Sequence, residues 1–243
     1  MLQRLDKILV SQGVGSRADA QRLIRRGRLT VDGDVCRDPA RKVDPAAVCL
    51  AVDGRPLAYA EHLYVMLNKP AGCLCVSRDP RQPTVLDLLP GEWRRPGLFP
   101  AGRLDKDTVG FTLITDDGDL AHRMLSPRHH VVKTYRARLD APPTGEMIAA
   151  FANGLRLDGE TRCLSAKCQI LSDDDPTMVE IRIAEGKYHQ IKRMCAAFDR
   201  KVLWLQRTAI GGLKLDSTLK EGESRRLQEA EIARIWEKRG ENL

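Results

Sequence analysis

The sequence predicts an α+β protein: a small N-terminal module followed by a larger sheet domain. Three observations carry this. Residues 1 to about 58 combine short stretches of helical apolar spacing with an Asp-Gly pair between apolar runs. Beyond them, strand-like and helix-like segments alternate irregularly, without the repeated spacing of a doubly wound sheet. The 243 residues are enough for one large core and one small one. We place the division at residues 1–59 and 60–243.

In the first module, Leu5, Ile8 and Leu9 lie at helical spacing, and Gln12-Gly13-Val14-Gly15 ends that helix. Ser16 can cap a second helix by accepting an amide proton of the first turn. That helix carries Arg17, Arg22, Arg25 and Arg26, with Asp19 as its acid; Ala20, Leu23 and Ile24 fit its buried side, and Gly27 closes it. Asp32-Gly33, between Leu29-Thr30-Val31 and Asp34-Val35-Cys36, signals a hairpin. Val52-Asp53-Gly54-Arg55-Pro56 and Ala60-Glu61-His62 read as a turn and a short linker.

The larger domain opens with a strand at Leu63–Asn68, which Lys69-Pro70-Ala71-Gly72 turns back. Further strands are expected at 111–115, 133–139, 178–184 and 201–205, and helices at 117–125, 144–153, 188–198 and 229–237. On the 188–198 helix, Ile191, Met194, Cys195 and Phe198 form a core stripe that leaves Lys192 and Arg193 off the buried line.

Composition narrows the function. There are 40 Lys+Arg against 33 Asp+Glu, a net charge of +7, which favours a polyanionic partner. Arg22, Arg25, Arg26 and Arg28 are clustered; phosphate contacts and a solvated helix face both account for that. The seven cysteines are odd in number and scattered, without the paired spacing of a zinc site, so they read as reduced thiols. The N-terminus lacks the apolar core of a signal peptide and no stretch has the apolar length of a membrane span, so we expect a cytoplasmic protein with no membrane association, and the cysteine spacing predicts no metal.

Four blocks carry the candidate chemistry. They are Leu67-Asn68-Lys69-Pro70-Ala71-Gly72, Gly102-Arg103-Leu104-Asp105-Lys106-Asp107-Thr108-Val109-Gly110 with Thr115-Asp116-Asp117-Gly118, the segment Ser126 to Ala137, and Glu185 to Met194. Each alone also has a structural reading, as a turn, a loop cap, a surface segment or a helix end. The second block presents one carboxylate from a Gly-bounded loop, and one well-placed carboxylate can do nucleophilic or glycosidic chemistry without a metal.

Together and in this order, the blocks resemble those of RNA pseudouridine synthases of the RsuA type. Gly-Arg-Leu-Asp-x-Asp-Thr-x-Gly and Gly-Lys-Tyr-His-Gln-Ile-Lys-Arg-Met are the most specific matches. Ser-Pro-Arg-His-His-x-x-Lys-Thr-Tyr points to the branch acting on small-subunit (16S) ribosomal RNA, and by that resemblance to its uridine 516. The first module, over roughly residues 3 to 50, resembles the alpha-L RNA-binding motif.

The resemblance implies a mixed, largely antiparallel sheet with the active-site cleft across it, and no cofactor. It implies Asp105 as the catalytic carboxylate, acting either on the anomeric carbon or on the neighbouring sugar proton. Either role needs an ionised carboxylate in a sheltered site, where burial opposes the charge and a nearby cation offsets that cost. By resemblance the cation is Lys192, and Tyr135 is the active-site aromatic that can stack on uracil. Arg103 would fill the gap left by a flipped nucleotide. Lys187, His189 and Arg193, with Arg17, Arg22, Arg25, Arg26 and Arg28, are the further RNA-contact candidates. Asp107 and Thr108 are expected to brace the loop. Lys187 and His189 are placed near a helix start, where amide donors favour phosphate.

Two positions depart from the family pattern. Phe111-Thr112 replaces two aliphatic residues, which suggests that Thr112 faces a polar side of its strand. Asp199 stands where glycine commonly ends the helix. The partner expected is 16S ribosomal RNA or a small-subunit assembly particle. The competing functions are a synthase acting on 23S ribosomal RNA, a non-catalytic assembly factor, and a glycosidase, which would need two cooperating carboxylates.

Overall fold

The computed structural model describes residues 1–126, 128–129, 131–157 and 161–237. Pro127 and His130, within the Ser126–Ala137 block, lie outside the described residues, as do 238–243. The chain divides into two compact units, Met1–Leu63 with Leu89–Leu98, and Tyr64–Leu88 with Phe99–Leu243.

The first unit begins with β1 (Gln3–Arg4), α1 (Leu5–Ser11) and α2 (Arg17–Arg25), followed by β2 (Leu29–Val31), β3 (Asp34–Cys36), β4 (Lys42–Val43), β5 (Leu50–Val52) and β6 (Arg55–Pro56). Leu5, Ile8 and Leu9 of α1 are wholly buried against Ala20, Ile24, Leu29 and Leu50. Each such side chain removed from water stabilises the fold by roughly 1.5–3 kcal/mol.

Ser16 caps α2 reciprocally. Its hydroxyl accepts from the Asp19 amide, and Asp19 accepts from the Ser16 amide. Gly27 follows α2 in the left-handed region, φ 72°. The hairpin at Asp32-Gly33 has both residues at positive φ, as a type I′ turn requires.

Val52-Asp53-Gly54-Arg55-Pro56 forms the expected turn. Asp53 and Gly54 also take positive φ and turn β5 into β6, the last strand of a sheet ordered β3-β2-β5-β6. Asp-Gly at this second place is the same turn signal as at Asp32-Gly33. Leu89–Leu98 joins this unit through Arg95, whose guanidinium donates to the carbonyls of Ala60 (3.1 Å) and Glu61 (3.1 Å).

Asp6 is wholly buried in the first unit. Arg4 reaches it at 2.8 Å, Gln21 at 2.9 Å and Arg17 at 3.5 Å. The Arg4 hydrogen bond, aided by Gln21 and Arg17 against the cost of burial, holds this carboxyl well below the usual carboxylate range.

The second unit has one main sheet, ordered β13-β14-β10-β15-β9-β7-β17. Its elements are β7 (Tyr64–Lys69), β8 (Phe99–Pro100), β9 (Val109–Thr115), α3 (Gly118–Leu125), β10 (Lys133–Leu139), α4 (Gly145–Asn153), β11 (Arg156–Leu157), β12 (Thr161–Arg162), β13 (Ala166–Ile170), β14 (Met178–Ile183), α5 (Gln190–Ala196), β15 (Val202–Ile210), β16 (Leu213–Lys214), β17 (Ser224–Arg226) and α6 (Glu229–Ala233). Neighbouring strands pair antiparallel except β9 and β15, which run parallel. The sheet is therefore mixed and mainly antiparallel. Its core packs Met66, Phe111, Leu113, Met124, Ile210 and Ile235 together.

Two local expectations change. All of β9 is buried, Thr112 included at 0% exposure, because the strand is central and covered on both faces. The Thr112 hydroxyl has no hydrogen-bond partner among the described residues, so it faces no polar side there. The helix expected over 188–198 spans only Gln190–Ala196, because His189 takes a left-handed conformation (φ 48°, ψ 33°) that a helix cannot continue through. Asp199 does adopt the left-handed conformation (φ 53°) in place of glycine. The seven cysteines are free, and six of them are buried. No helix among the described residues is long and apolar enough to cross a membrane.

Candidate active site

The loop carrying Asp105 connects β8 to β9, and glycines bound it at Gly102 (φ 90°) and Gly110 (φ 99°). Gly110 sits where β9 runs against β15, paired with Arg207. A Cβ there would lie 2.4 Å from the Arg207 carbonyl oxygen, closer than nonbonded atoms approach.

Two buried cations hold the loop. Arg207, 3% exposed, donates its Nε to the Phe111 carbonyl at 2.7 Å and an Nη to the Gly102 carbonyl at 3.3 Å. Lys69, 0% exposed, donates to the carbonyls of Thr108 (2.9 Å), Lys106 (3.2 Å) and Pro70 (3.0 Å). Burial pushes the Lys69 ammonium below its ordinary pKa. The carbonyls supply the hydrogen bonds that a buried charge requires. The Gly72 amide also donates to the Lys106 carbonyl at 2.8 Å. The backbone around Asp105 is thus clamped, and its carboxylate is aimed from a rigid support.

The opposing wall comes from the segment leading into α5. The Gln190 amide group donates to Glu185 at 2.7 Å and accepts from the Lys187 backbone at 2.9 Å, which closes the turn. Lys192, in the first turn of the helix, lies 3.3 Å from Asp105 Oδ2 and 2.6 Å from Asp107 Oδ1. His189 Nε2 lies 3.6 Å from Asp105 Oδ1, an electrostatic contact longer than a hydrogen bond.

Lys192 therefore serves two carboxylates, and the shorter contact goes to Asp107, which sequence reasoning treated only as a loop brace. Burial lowers the affinity of Lys192 for its proton, but Asp107 and Asp105 outweigh it and raise the pKa above the ordinary value. The Lys192 hydrogen bond in turn lowers the pKa of Asp107. Lys192 is a fixed cation at neutral pH rather than a proton acceptor. Both carboxylates lie on this one cation instead of flanking a bond from two sides, which disfavours the glycosidase reading.

Tyr135, 8% exposed, comes from β10, where it pairs with Ile181 and Arg207. Its ring lines the same cleft as Leu104, Asp105, Ile183 and Leu205, and its hydroxyl has no hydrogen-bond partner among the described residues. Arg103, Lys187, His189 and Lys192 also line it. Lys187 is committed to Glu185 (2.8 Å) and to the Arg162 carbonyl. Arg193 does not line the cleft; it donates to the Tyr188 carbonyl at 3.2 Å.

Lys133 lies two residues before Tyr135 on the same face of β10 and is 7% exposed. Burial, then repulsion from Arg207, pushes its ammonium from 10.5 down to about 8, against attraction from Glu185. As pH rises through about 8 the folded protein releases a proton that the unfolded chain keeps to 10.5, so stability increases across that window. Lys133→Met should abolish this increase, worth roughly 3 kcal/mol at most, and stabilise the protein at pH 7. Urea unfolding of both proteins at pH 7, 9 and 10 measures it; equal pH dependence would refute it.

In the first unit, Arg17, Arg22 and Arg28 are paired, to Asp6, Asp19 and Asp53 respectively. Arg25 and Arg26 make no salt bridge among the described residues. Arg22, Arg26 and Arg28 line a shallow concavity with Val14, Gly15 and Leu23.

Sequence reasoning did not single out Lys69 for the loop, and it did not single out Arg207 at all. The signal for Arg207 was a lone arginine in the apolar run from Val202 to Ile210. For Lys69 it was the one charged residue of a mostly apolar strand.

The sequence pattern of the RNA pseudouridylate synthase family matches residues 63–197, and that of the S4 domain matches residues 3–49. The chain is 46% identical over 235 residues to the ribosomal small subunit pseudouridine synthase A of Escherichia coli (strain K12), covering 96% of this chain and 99% of that one. It is 43% identical over 230 residues to the RNA pseudouridine synthase YtzG of Bacillus subtilis (strain 168), covering 94% and 96%. A crystal structure of a pseudouridylate synthase superposes with a TM-score of 0.65 at 37% identity, covering 96% of this chain and 99% of that one. An N-terminal S4 domain, a mixed sheet with a clamped aspartate loop, and identity along nearly the whole length make this chain a member of the RNA pseudouridylate synthase family, an isomerase of RNA uridines.

Proposed function

We propose that the protein isomerises one uridine of small-subunit (16S) ribosomal RNA to pseudouridine, with uridine 516 as the target and Asp105 as the reacting carboxylate. The observation that carries this reading is Asp105 on a clamped loop, facing Lys192 and His189 across a cleft lined by Tyr135. The relatives named as ribosomal small subunit pseudouridine synthase A support the choice of RNA.

In this reaction the C1′–N1 bond of uridine breaks and a C1′–C5 bond forms. The C5 proton leaves and N1 ends protonated, so mass is unchanged. Asp105 acts on the sugar, either by attack at C1′ or by removing the neighbouring proton. Lys192 places a positive charge 3.3 Å from it. The Tyr135 ring lies against the detached base, and its uncommitted hydroxyl is available to a proton in transit. Arg103, exposed at the rim of the cleft, stacks in the gap left by the flipped nucleotide. Arg25 and Arg26 contact phosphates, and the protein acts on the RNA or its assembly particle in the cytoplasm.

Pseudouridine mapping on unmodified small-subunit and large-subunit ribosomal RNA tests this directly. One new site in the small-subunit RNA is the expected result. A site in the large-subunit RNA alone would overturn the choice of target. No site in either RNA, or in a small-subunit particle, would overturn the reading altogether.

The arginine assignment has its own consequence. Arg25→Ala with Arg26→Ala should weaken RNA binding and flatten the plot of log affinity against log salt by roughly one to two in slope, about 0.7–0.9 per lost contact. Turnover at saturating RNA should persist. An unchanged salt slope would remove these residues from the interface.

A further inference from the structure

Tyr188 is 74% exposed, with an apolar ring and a polar tip both open to a partner. Burial does not hold it. Its ring stacks on that of His189, with centroids 3.9 Å apart and planes 16° from parallel. His189 is itself placed by its left-handed backbone and by its contact with Asp105 at 3.6 Å. The carbonyl of Tyr188 is tied to the Arg193 guanidinium. The result is a flat, preordered aromatic surface at the edge of the cleft, with one ring face covered by histidine and the other open to solvent.

A polyanion with unpaired bases is the ligand that such a surface fits. Nucleobases stack on aromatic side chains whatever their identity, and cations beside the ring take the phosphates. The Arg193 guanidinium, 3.2 Å from the Tyr188 carbonyl, puts positive charge next to the platform. Flipping one nucleotide into the cleft unstacks its neighbours, which need a new partner.

We propose that the stacked Tyr188–His189 pair is a base-stacking platform that holds an unpaired nucleotide adjacent to the target uridine. The inference rests on Asp105 as the reacting carboxylate, because only that assignment puts the platform beside the flipped base.

The test uses the full chain and a 16S ribosomal RNA fragment carrying 2-aminopurine on the 5′ or the 3′ side of the uridine proposed as target. Wild type should change the 2-aminopurine fluorescence on binding, through stacking, at one of the two positions. Tyr188→Ala should lose that signal and weaken RNA affinity and kcat/KM by roughly ten- to a hundredfold. Its kcat at saturating RNA should fall much less. Tyr188→Phe, which keeps the ring and drops the hydroxyl, should retain both signal and affinity.

Unchanged fluorescence and affinity in Tyr188→Ala would overturn the platform, as would Tyr188→Phe failing as badly as Tyr188→Ala. If wild type isomerises no uridine, the proposed function fails. The fluorescence still decides the platform independently, because it reads stacking rather than turnover.

Discussion

Asp105→Asn is expected to abolish turnover while leaving the fold and RNA affinity in place. The substitution removes the charge and the nucleophile but hardly changes shape. The loop does not depend on that carboxylate for its position. Lys69 and Arg207 hold it through the backbone carbonyls of Gly102, Lys106, Thr108 and Phe111. Lys192 keeps a carboxylate partner in Asp107 at 2.6 Å, so no buried cation is orphaned. Stability should therefore stay within about 0.5 kcal/mol of wild type. Both kcat and kcat/KM should fall by at least about 10³-fold, the loss of an interaction made in the transition state. Tritium release from RNA carrying 5-tritiated uridine reports this, because isomerisation expels the C5 proton. Release at a tenth of the wild-type rate or more would displace Asp105 from the reaction.

The second large effect belongs to a residue with no side chain. Gly110→Ala should destabilise the protein by about 3 kcal/mol or more and cut activity with it. Two costs add. The φ of 99° is one that residues with a Cβ avoid, and the new methyl group would sit 2.4 Å from the Arg207 carbonyl oxygen and 3.0 Å from its amide nitrogen. Relief requires β9 to move away from β15, which carries the start of β9 and the Asp105 loop with it. Gly72 is the control. Its φ is 83°, but a Cβ there meets nothing within 4 Å, so Gly72→Ala should cost only about 1 kcal/mol. Urea unfolding of the two variants separates backbone conformation from close approach. Equal losses would show that the contact with β15 is not the cause.

Much of the N-terminal unit was legible because its signals are local. The Ser16–Asp19 cap, the stripe of Leu5, Ile8 and Leu9, and the Asp32-Gly33 turn each act within about four residues. The turn at Asp53-Gly54 was legible from the same signal, but the strand after it, only Arg55–Pro56, is too short to show a period of its own. The 188–198 helix was overextended for a comparable reason. The spacing of Ile191, Met194 and Cys195 is helical, but it cannot report that His189 is left-handed.

The site divides along the same line. The motifs named Asp105, Tyr135 and Lys192, and the fold brings them into one cleft. They could not reveal that Lys192 is shared with Asp107, since the residues lie 85 positions apart. Nor could they reveal the clamp by Arg207, whose partner Gly102 is 105 positions away.

By itself the sequence determined the α+β plan, the turns and the caps, which follow from periodicity and backbone preference. Its motifs, by their resemblance to a family, named the candidate carboxylate, aromatic and cation. The tertiary structure alone decided what surrounds them: the burial of Lys69 and Arg207, the closeness of His189 to Asp105, and the exposure of Tyr188. Burial and long-range contact arise only when distant strands are brought into register, and no local pattern encodes the charge environment that this register creates.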